Sequence, residues 1–210
     1  LQGLIQAQKW LPVMPGVRGR LSSSLCHRLA VGNPRVFVKN GFRESPNTAV
    51  HILLDSSGSM NDSGLMFANA VCYAVGKALQ GISGVNLGIT AFPGANRAKR
   101  GTTVAPVLRH GEKLTARFPE IAYGMTPMAE SLWWVMQQMC LLRENRKIIL
   151  IITDGEPDSI PAAQEAFKQA QKKGFECYGL GIMCSSIATL LPHTSRVIET
   201  LPQLTPALFG

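Results

Sequence analysis

Asp55, Ser57 and Ser59 stand at alternate positions in Asp-Ser-Ser-Gly-Ser, directly after the apolar run Val50-His51-Ile52-Leu53-Leu54. One carboxylate and two hydroxyls packed this closely make a cluster of hard oxygen donors. Such donors suit Mg²⁺ or Mn²⁺ better than zinc, which prefers Cys and His. Gly58 relaxes the backbone between the two serines, so both hydroxyls can turn toward a common point. The plainer alternative is a capped turn, since Asp and Ser also satisfy the free amides of a helix start. An apolar run, a turn and then a helical pattern predict a buried parallel strand opening into a loop at its carboxyl end. In open α/β sheets that edge is where ligands bind.

The elements that must position this loop are legible as periodicities. Strands are expected at Thr48–Leu54, Val85–Phe92, Thr102–Leu108, Ile148–Thr153, Phe175–Ile182 and Arg196–Glu199. Pro106 assigns the third of these to a sheet edge, because proline cannot donate to a central ladder. Leu65, Ala68, Val71, Cys72, Val75 and Leu79 recur at helical steps and predict a helix over Ser63–Gln80. Further helices are expected at Gly111–Phe118, Thr126–Arg143, Ile160–Lys173 and Ser186–Leu191, and from Pro202 onward. Pro127 belongs in the first turn of its helix, and Gly174 ends the helix that carries Lys172 and Lys173 near its negative pole. Strands alternating with helices imply a mostly parallel sheet covered on both faces. Residues 1–47 read as a basic extension ahead of a domain at 48–210. It holds a short helix near Leu21–Ala30, a strand at Arg35–Lys39 and a turn-rich stretch at Asn40–Asn47.

The Asp55-x-Ser57-x-Ser59 segment resembles the first part of the metal-ion-dependent adhesion site of von Willebrand factor A domains. That family completes its site with a Thr and an Asp from two later loops. The matching positions here are Thr126, in Tyr-Gly-Met-Thr-Pro-Met, and Asp154, which closes Lys-Ile-Ile-Leu-Ile-Ile-Thr-Asp-Gly. The resemblance implies a three-layer Rossmann-like α/β fold with one antiparallel edge strand. It also implies a site for Mg²⁺ or Mn²⁺ made by Asp55, Ser57, Ser59, Thr126 and Asp154. Mg²⁺ takes six oxygens and usually keeps several waters. Two carboxylates roughly neutralise a divalent ion, and three hydroxyls add no charge. The ion therefore still attracts one more carboxylate, an Asp or Glu from a partner protein.

Within that family the chain resembles the carboxy-terminal domain of the cobaltochelatase subunit. The resemblance rests on Arg-Val-Phe-Val-Lys, on Asn-Thr-Ala-Val-His-Ile-Leu-Leu-Asp-Ser-Ser-Gly-Ser-Met and on Arg-Lys-Ile-Ile-Leu-Ile-Ile-Thr-Asp-Gly-Glu-Pro. It implies a cytoplasmic, non-catalytic subunit that works with an AAA+ ATPase in a chelatase-like or protein-remodelling complex. The chain has no G-x-x-x-x-G-K-[ST] loop, so it is not expected to hydrolyse ATP itself.

Composition narrows the alternatives. The chain has 210 residues, 46% hydrophobic and 16% charged, which fits a globular domain with a full core. No apolar run approaches the roughly 20 residues needed to cross a bilayer. Gln2, Gln6, Gln8 and Lys9 interrupt any secretory core in residues 1–16, and the start at Leu1 is that expected of a piece of a longer protein. Cys26, Cys72, Cys140, Cys177 and Cys184 are odd in number and lack C-x-x-C spacing, as expected of free thiols in a reducing compartment. The net charge is +8. Residues 1–43 carry Lys9, Arg18, Arg20, Arg28, Arg35, Lys39 and Arg43 without an acid, and Arg97–Arg117 is a second basic stretch. A docking face for an acidic partner is one reading and nucleic-acid binding the other.

An Mg²⁺-dependent phosphohydrolase of the haloacid dehalogenase type would need a second acid two residues after Asp55, where this chain has Ser57. Serine nucleophilic catalysis would need a base, and no His is placed by motif beside Ser57 or Ser59. His51 is expected to be a packed core residue, and His27, His110 and His193 lack ligand spacing. Glu156 and Asp158 follow Asp154 closely; acids that support the ligands are one reading and surface loop carboxylates the favoured one, and Asp62 has the same status.

Overall fold

In a computed structural model of the chain, residues 6–10, 14–39, 42–94, 104–115, 117–204 and 206 are described. The strands in chain order are β1 (Gln6–Trp10), β2 (Met14–Gly16), β3 (Arg20–Leu21), β4 (Phe37–Lys39), β5 (Phe42–Pro46), β6 (Thr48–Asp55), β7 (Val85–Phe92), β8 (Ala105–Leu108), β9 (Arg146–Thr153), β10 (Phe175–Ile182) and β11 (Ser195–Ile198). The α-helices are α1 (Asn61–Gln80), α2 (Met128–Cys140), α3 (Ile160–Lys172) and α4 (Ser186–Leu190).

The main sheet has six strands in the order β11-β10-β9-β6-β7-β8. Only β8 within it runs antiparallel, paired with β7, and Pro106 does lie on that edge. Strand β6 lies between β9 and β7 and is buried along its whole length. Its side chains alternate between two cores, as a pleated strand requires. Val50, Ile52 and Leu54 meet the apolar face of α1 on one side. Ala49 and Leu53 meet α2 and α3 on the other. Each fully buried Leu, Ile or Val contributes about 1.5–3 kcal/mol relative to exposure, so these two cores anchor the strand that ends in Asp55. The parallel ladder brings the ends of β6, β7 and β9 to one edge: Asp55 pairs with Phe92, and Leu54 with Ile152.

Several expected elements differ in the structure. Residues 111–118 form no helix among those described. The Gln80 side chain instead takes up their backbone, accepting from Leu114 N (3.2 Å) and donating to Glu112 O (3.2 Å). Residues 42–46 form a strand, not a turn, because they pair antiparallel with β1 in a separate two-stranded ladder. Helix α2 is shorter than 126–143 at both ends; Pro127 is its N-cap, so Thr126 stays in the preceding loop. Helix α1 starts earlier than Ser63, at Asn61, whose Oδ1 accepts from Gly64 N at 2.9 Å and so satisfies a free amide of the first turn. The region 21–30 is largely a 3₁₀ segment (Ser23–Val31), and a three-stranded sheet, β2-β4-β3, adjoins it. The chain after 206 and the basic residues 97–100 lie outside the described residues.

Candidate metal centre

Asp55 is fully buried at the end of β6, and Ser57 is almost as deep. The backbone amide of Ser57 donates to Asp55 Oδ1 (2.8 Å), curling the loop back over the carboxylate. Ser57 Oγ and Ser59 Oγ lie 3.0 Å apart, and Ser59 Oγ donates to Asp154 Oδ1 at 2.9 Å. Four of the five expected donors thus form one connected chain. Thr126 joins them beside Gly155. A β-carbon built on that glycine would lie 3.0 Å from Ser59 Oγ and 3.9 Å from Thr126 Oγ1. The absent side chain leaves a small oxygen-lined cradle. All five residues expected from the sequence therefore converge.

Backbone contacts hold the Thr126 loop against the first loop. Tyr123 N donates to Ser56 O and Gly58 N to Gly124 O, each at 3.1 Å. Gly124 has φ +77°, a conformation costly for other residues. A β-carbon on Gly58 would lie 3.3 Å from Gly124 O, so the glycine in Asp-Ser-Ser-Gly-Ser also permits this close approach.

Electrostatics shows what the cradle lacks. Burial pushes the Asp55 carboxyl up to about 6, although hydrogen bonds from Thr153 and Ser57 pull the other way. Burial raises Asp154 as well, against the hydrogen bond from Ser59. Among the described residues no Lys, Arg or His pairs with either acid. Two desolvated carboxylates joined by hydroxyls fit a hard divalent cation, which would supply the missing positive charge. Among the described residues no three His, Cys, Asp or Glu side chains cluster as metal ligands; three of the five donors here are hydroxyls.

Some supporting residues carried weaker signals. Thr153 closes the apolar run Ile148–Ile152 of β9, and its hydroxyl donates to Asp55 Oδ2 while accepting from Gly155 N (3.1 Å). A hydroxyl ending such a strand one residue before an acid is the signal for it. Ser186 Oγ donates to Gly155 O at 2.8 Å, a contact that no local pattern announces. Asp158 takes the supporting role, the less favoured of its two readings. It is exposed, but its Oδ1 accepts from Thr126 N (2.8 Å) and its own N donates to Thr126 O (3.1 Å). This reciprocal pair positions Thr126. Outer contacts of this kind typically tune metal affinity 10–100-fold. Asp158→Ala is accordingly expected to weaken Mg²⁺ binding by about tenfold or more in a calorimetric titration, with the helix content unchanged.

The model of the von Willebrand factor type A domain matches residues 49–205. The chain belongs to this family. The fold agrees with solved A-domain structures at low identity. Manganese-loaded TRAP protein from Plasmodium vivax has a TM-score of 0.61 at 15% identity, covering 76% of this chain and 71% of that one. The pilus adhesin SpaC from Lactobacillus rhamnosus GG, in its open conformation, has a TM-score of 0.62 at 15% identity, covering 78% of this chain and 29% of the adhesin. Proximal thread matrix protein 1 of the mussel byssus, with a zinc-occupied metal-ion-dependent adhesion site, has a TM-score of 0.60 at 13% identity, covering 77% and 44%. This A domain thus spans less than half of two of these three structures. Comparison with curated proteins finds no match. The six-stranded sheet with its single antiparallel edge and flanking helices is the A-domain architecture.

Proposed function

We propose that this A domain is a non-catalytic protein-binding module that works through Mg²⁺ or Mn²⁺. Asp55, Ser57, Ser59, Thr126 and Asp154 hold the ion, and a partner's Asp or Glu completes its coordination. The observation that carries this reading is the convergence of the buried Asp55 and half-buried Asp154 carboxylates, neither paired with a cation among the described residues, with three hydroxyls around the Gly155 cradle. The bound ion supplies Lewis acidity toward the incoming carboxylate. The chain's own part is to hold its oxygens in place, through Thr153 on Asp55 and Asp158 on Thr126. The manganese in TRAP and the zinc in the byssus protein are in keeping with a divalent ion here.

The finer reading is a cytoplasmic partner of an AAA+ ATPase in a chelatase-like or remodelling complex. Its support is the resemblance of residues 35–160 to the cobaltochelatase subunit and the free cysteines. The test is co-purification of the intact protein from its own cells, with mass spectrometry of the captured proteins. An AAA+ ATPase is expected with Mg²⁺ and should disappear with EDTA, Ser57→Ala or Thr126→Ala. Retention that ignores EDTA but falls steeply with salt would instead assign the binding to nucleic acid through the basic segments. Metal-dependent phosphatase turnover abolished by Asp55→Asn would overturn the non-catalytic assignment.

A further inference from the structure

Two large apolar side chains stand in solvent at the edge where the five oxygens meet. Met125 is 70% exposed and Met183 is 71% exposed. Met125 directly precedes Thr126. Met183 lies just past the end of β10, two residues beyond Gly181, which pairs with Thr153. Ser186, a little further along, donates to Gly155 O. Met125 thus adjoins the Thr126 loop in sequence, and Met183 lies in the turn after β10, beside the strand end that leads to Asp154.

Met183 is also held in an unfavourable backbone conformation. Its φ is +54°, in the left-handed region where a side chain clashes and glycine would be unstrained. Its amide is tied to Ile198 O at 2.9 Å, so the conformation is fixed by the β11 edge. A strained residue at a ligand edge is an observation from which a function can be inferred. A thioether is a poor ligand for hard cations, so the metal gives no reason for a methionine at either position. What methionine does offer is adaptable apolar surface for a partner.

We propose that this edge recognises a protein segment in which the metal-seeking Asp or Glu has a bulky apolar neighbour, gripped between Met125 and Met183. The inference rests on the metal-dependent binding proposed above and names the chemistry of its ligand. The carboxylate supplies charge complementarity to the ion, and the methionines set the residues beside it. A small free carboxylate would satisfy the first condition and leave the second unused.

The test uses the full chain with Mg²⁺ and a peptide library with a central Asp or Glu and randomised flanks. Selected peptides are then titrated by fluorescence anisotropy. The expected result is enrichment of Leu, Ile, Met or Phe next to the acid, with binding abolished by EDTA and by Asp55→Asn. Met125→Gln and Met183→Gln should each weaken the selected peptide about tenfold, while the thermal response to Mg²⁺ alone stays at the wild-type level. That last readout shows that the variants are folded and the cradle intact. Selection of the acid with no preference beside it, equal binding by the glutamine variants, or acetate binding as tightly as the selected peptide would overturn this inference and leave the proposed function standing. Selection of no Mg²⁺-dependent acidic peptide at all would overturn both.

Discussion

Asp55→Asn is expected to make the metal-free domain more stable while removing its thermal response to Mg²⁺. The Asp55 carboxyl is fully buried, and burial raises it from 3.8 to about 6. The sign follows from which state holds the proton. Between pH 3.8 and about 6 the unfolded chain has lost its proton while the folded carboxyl keeps it. Stability therefore falls as pH rises through that window and stays low above it. At neutral pH the cost is on the order of 2–3 kcal/mol. Asparagine removes the charge and still offers an oxygen to Ser57 N, so the metal-free variant should gain roughly 1–2 kcal/mol, a few degrees in Tm. Wild-type protein in excess Mg²⁺ should recover more than this, about 2.7 kcal/mol at a hundred times Kd. Scanning calorimetry in EDTA and in Mg²⁺ measures both effects. An Asn variant less stable than wild type in EDTA, or one that still responds to Mg²⁺, would refute the account.

The second large effect lies in the sheet, away from that edge. His51 on β6 is buried; its Nδ1 is 3.0 Å from His110 Nε2 and its Nε2 2.9 Å from Thr90 Oγ1. His110 Nδ1 is 3.2 Å from Asn86 O. A carbonyl can only accept, so His110 donates from Nδ1 and accepts at Nε2. His51 then donates from Nδ1, and the Thr90 hydroxyl donates to His51 Nε2. Both rings are neutral in this chain of donors. Gly88 makes room for it, because a β-carbon there would lie 2.6 Å from His110 Nε2 and 2.7 Å from His51 Nδ1. Burial, with His110 adding to it, lowers His51 to about 3, and burial lowers His110 too. Below the unfolded value near 6.5 the unfolded chain binds protons that the folded pair refuses, so stability falls as pH drops from 6.5 toward 3. His51 alone corresponds to one proton, about 1.4 kcal/mol per pH unit, and His110 adds to it. Glu144, hydrogen-bonded to Asn86 Nδ2 at 2.7 Å, favours protonation of His110 and softens the slope.

Asp55 acts in the opposite direction over part of that range. The measurement therefore belongs in the Asp55→Asn background, in EDTA, as urea unfolding between pH 7 and 4.5. A steep loss of stability is expected, and His51→Gln should flatten it. A slope unchanged by His51→Gln would show that other groups carry the acid sensitivity.

The parts of this molecule legible in the sequence are those fixed by local chemistry and strong periodicity. The run before Asp55 could only be a buried strand, and α1 announces itself through apolar residues at helical steps. Of the five oxygen-bearing residues, Asp55, Ser57 and Ser59 are legible in their own local spacing, whereas Thr126 and Asp154 are legible only through the family resemblance. What escaped reading depends on contacts between distant segments. Residues 111–118 carry a helical pattern, yet the Gln80 side chain takes their backbone groups instead. The sequence predicts a packed His51, and it is packed, but its hydrogen-bonded partner lies 59 positions away with no motif to mark it. For Asp158 the sequence favours a surface acid over a supporting one, because the bond that decides between them, to Thr126, spans 32 positions.

The seam between the Ser56–Gly58 and Tyr123–Gly124 backbones has a thermodynamic consequence for ion choice. Since main-chain bonds, rather than the cation, set where Thr126 stands, the pocket is assembled before anything enters it. An arriving ion then has little protein ordering to drive, and its affinity is governed by how readily it sheds its own hydration shell and by its intrinsic preference for oxygen. Discrimination between magnesium and manganese would then be left largely to their relative supply in the surroundings.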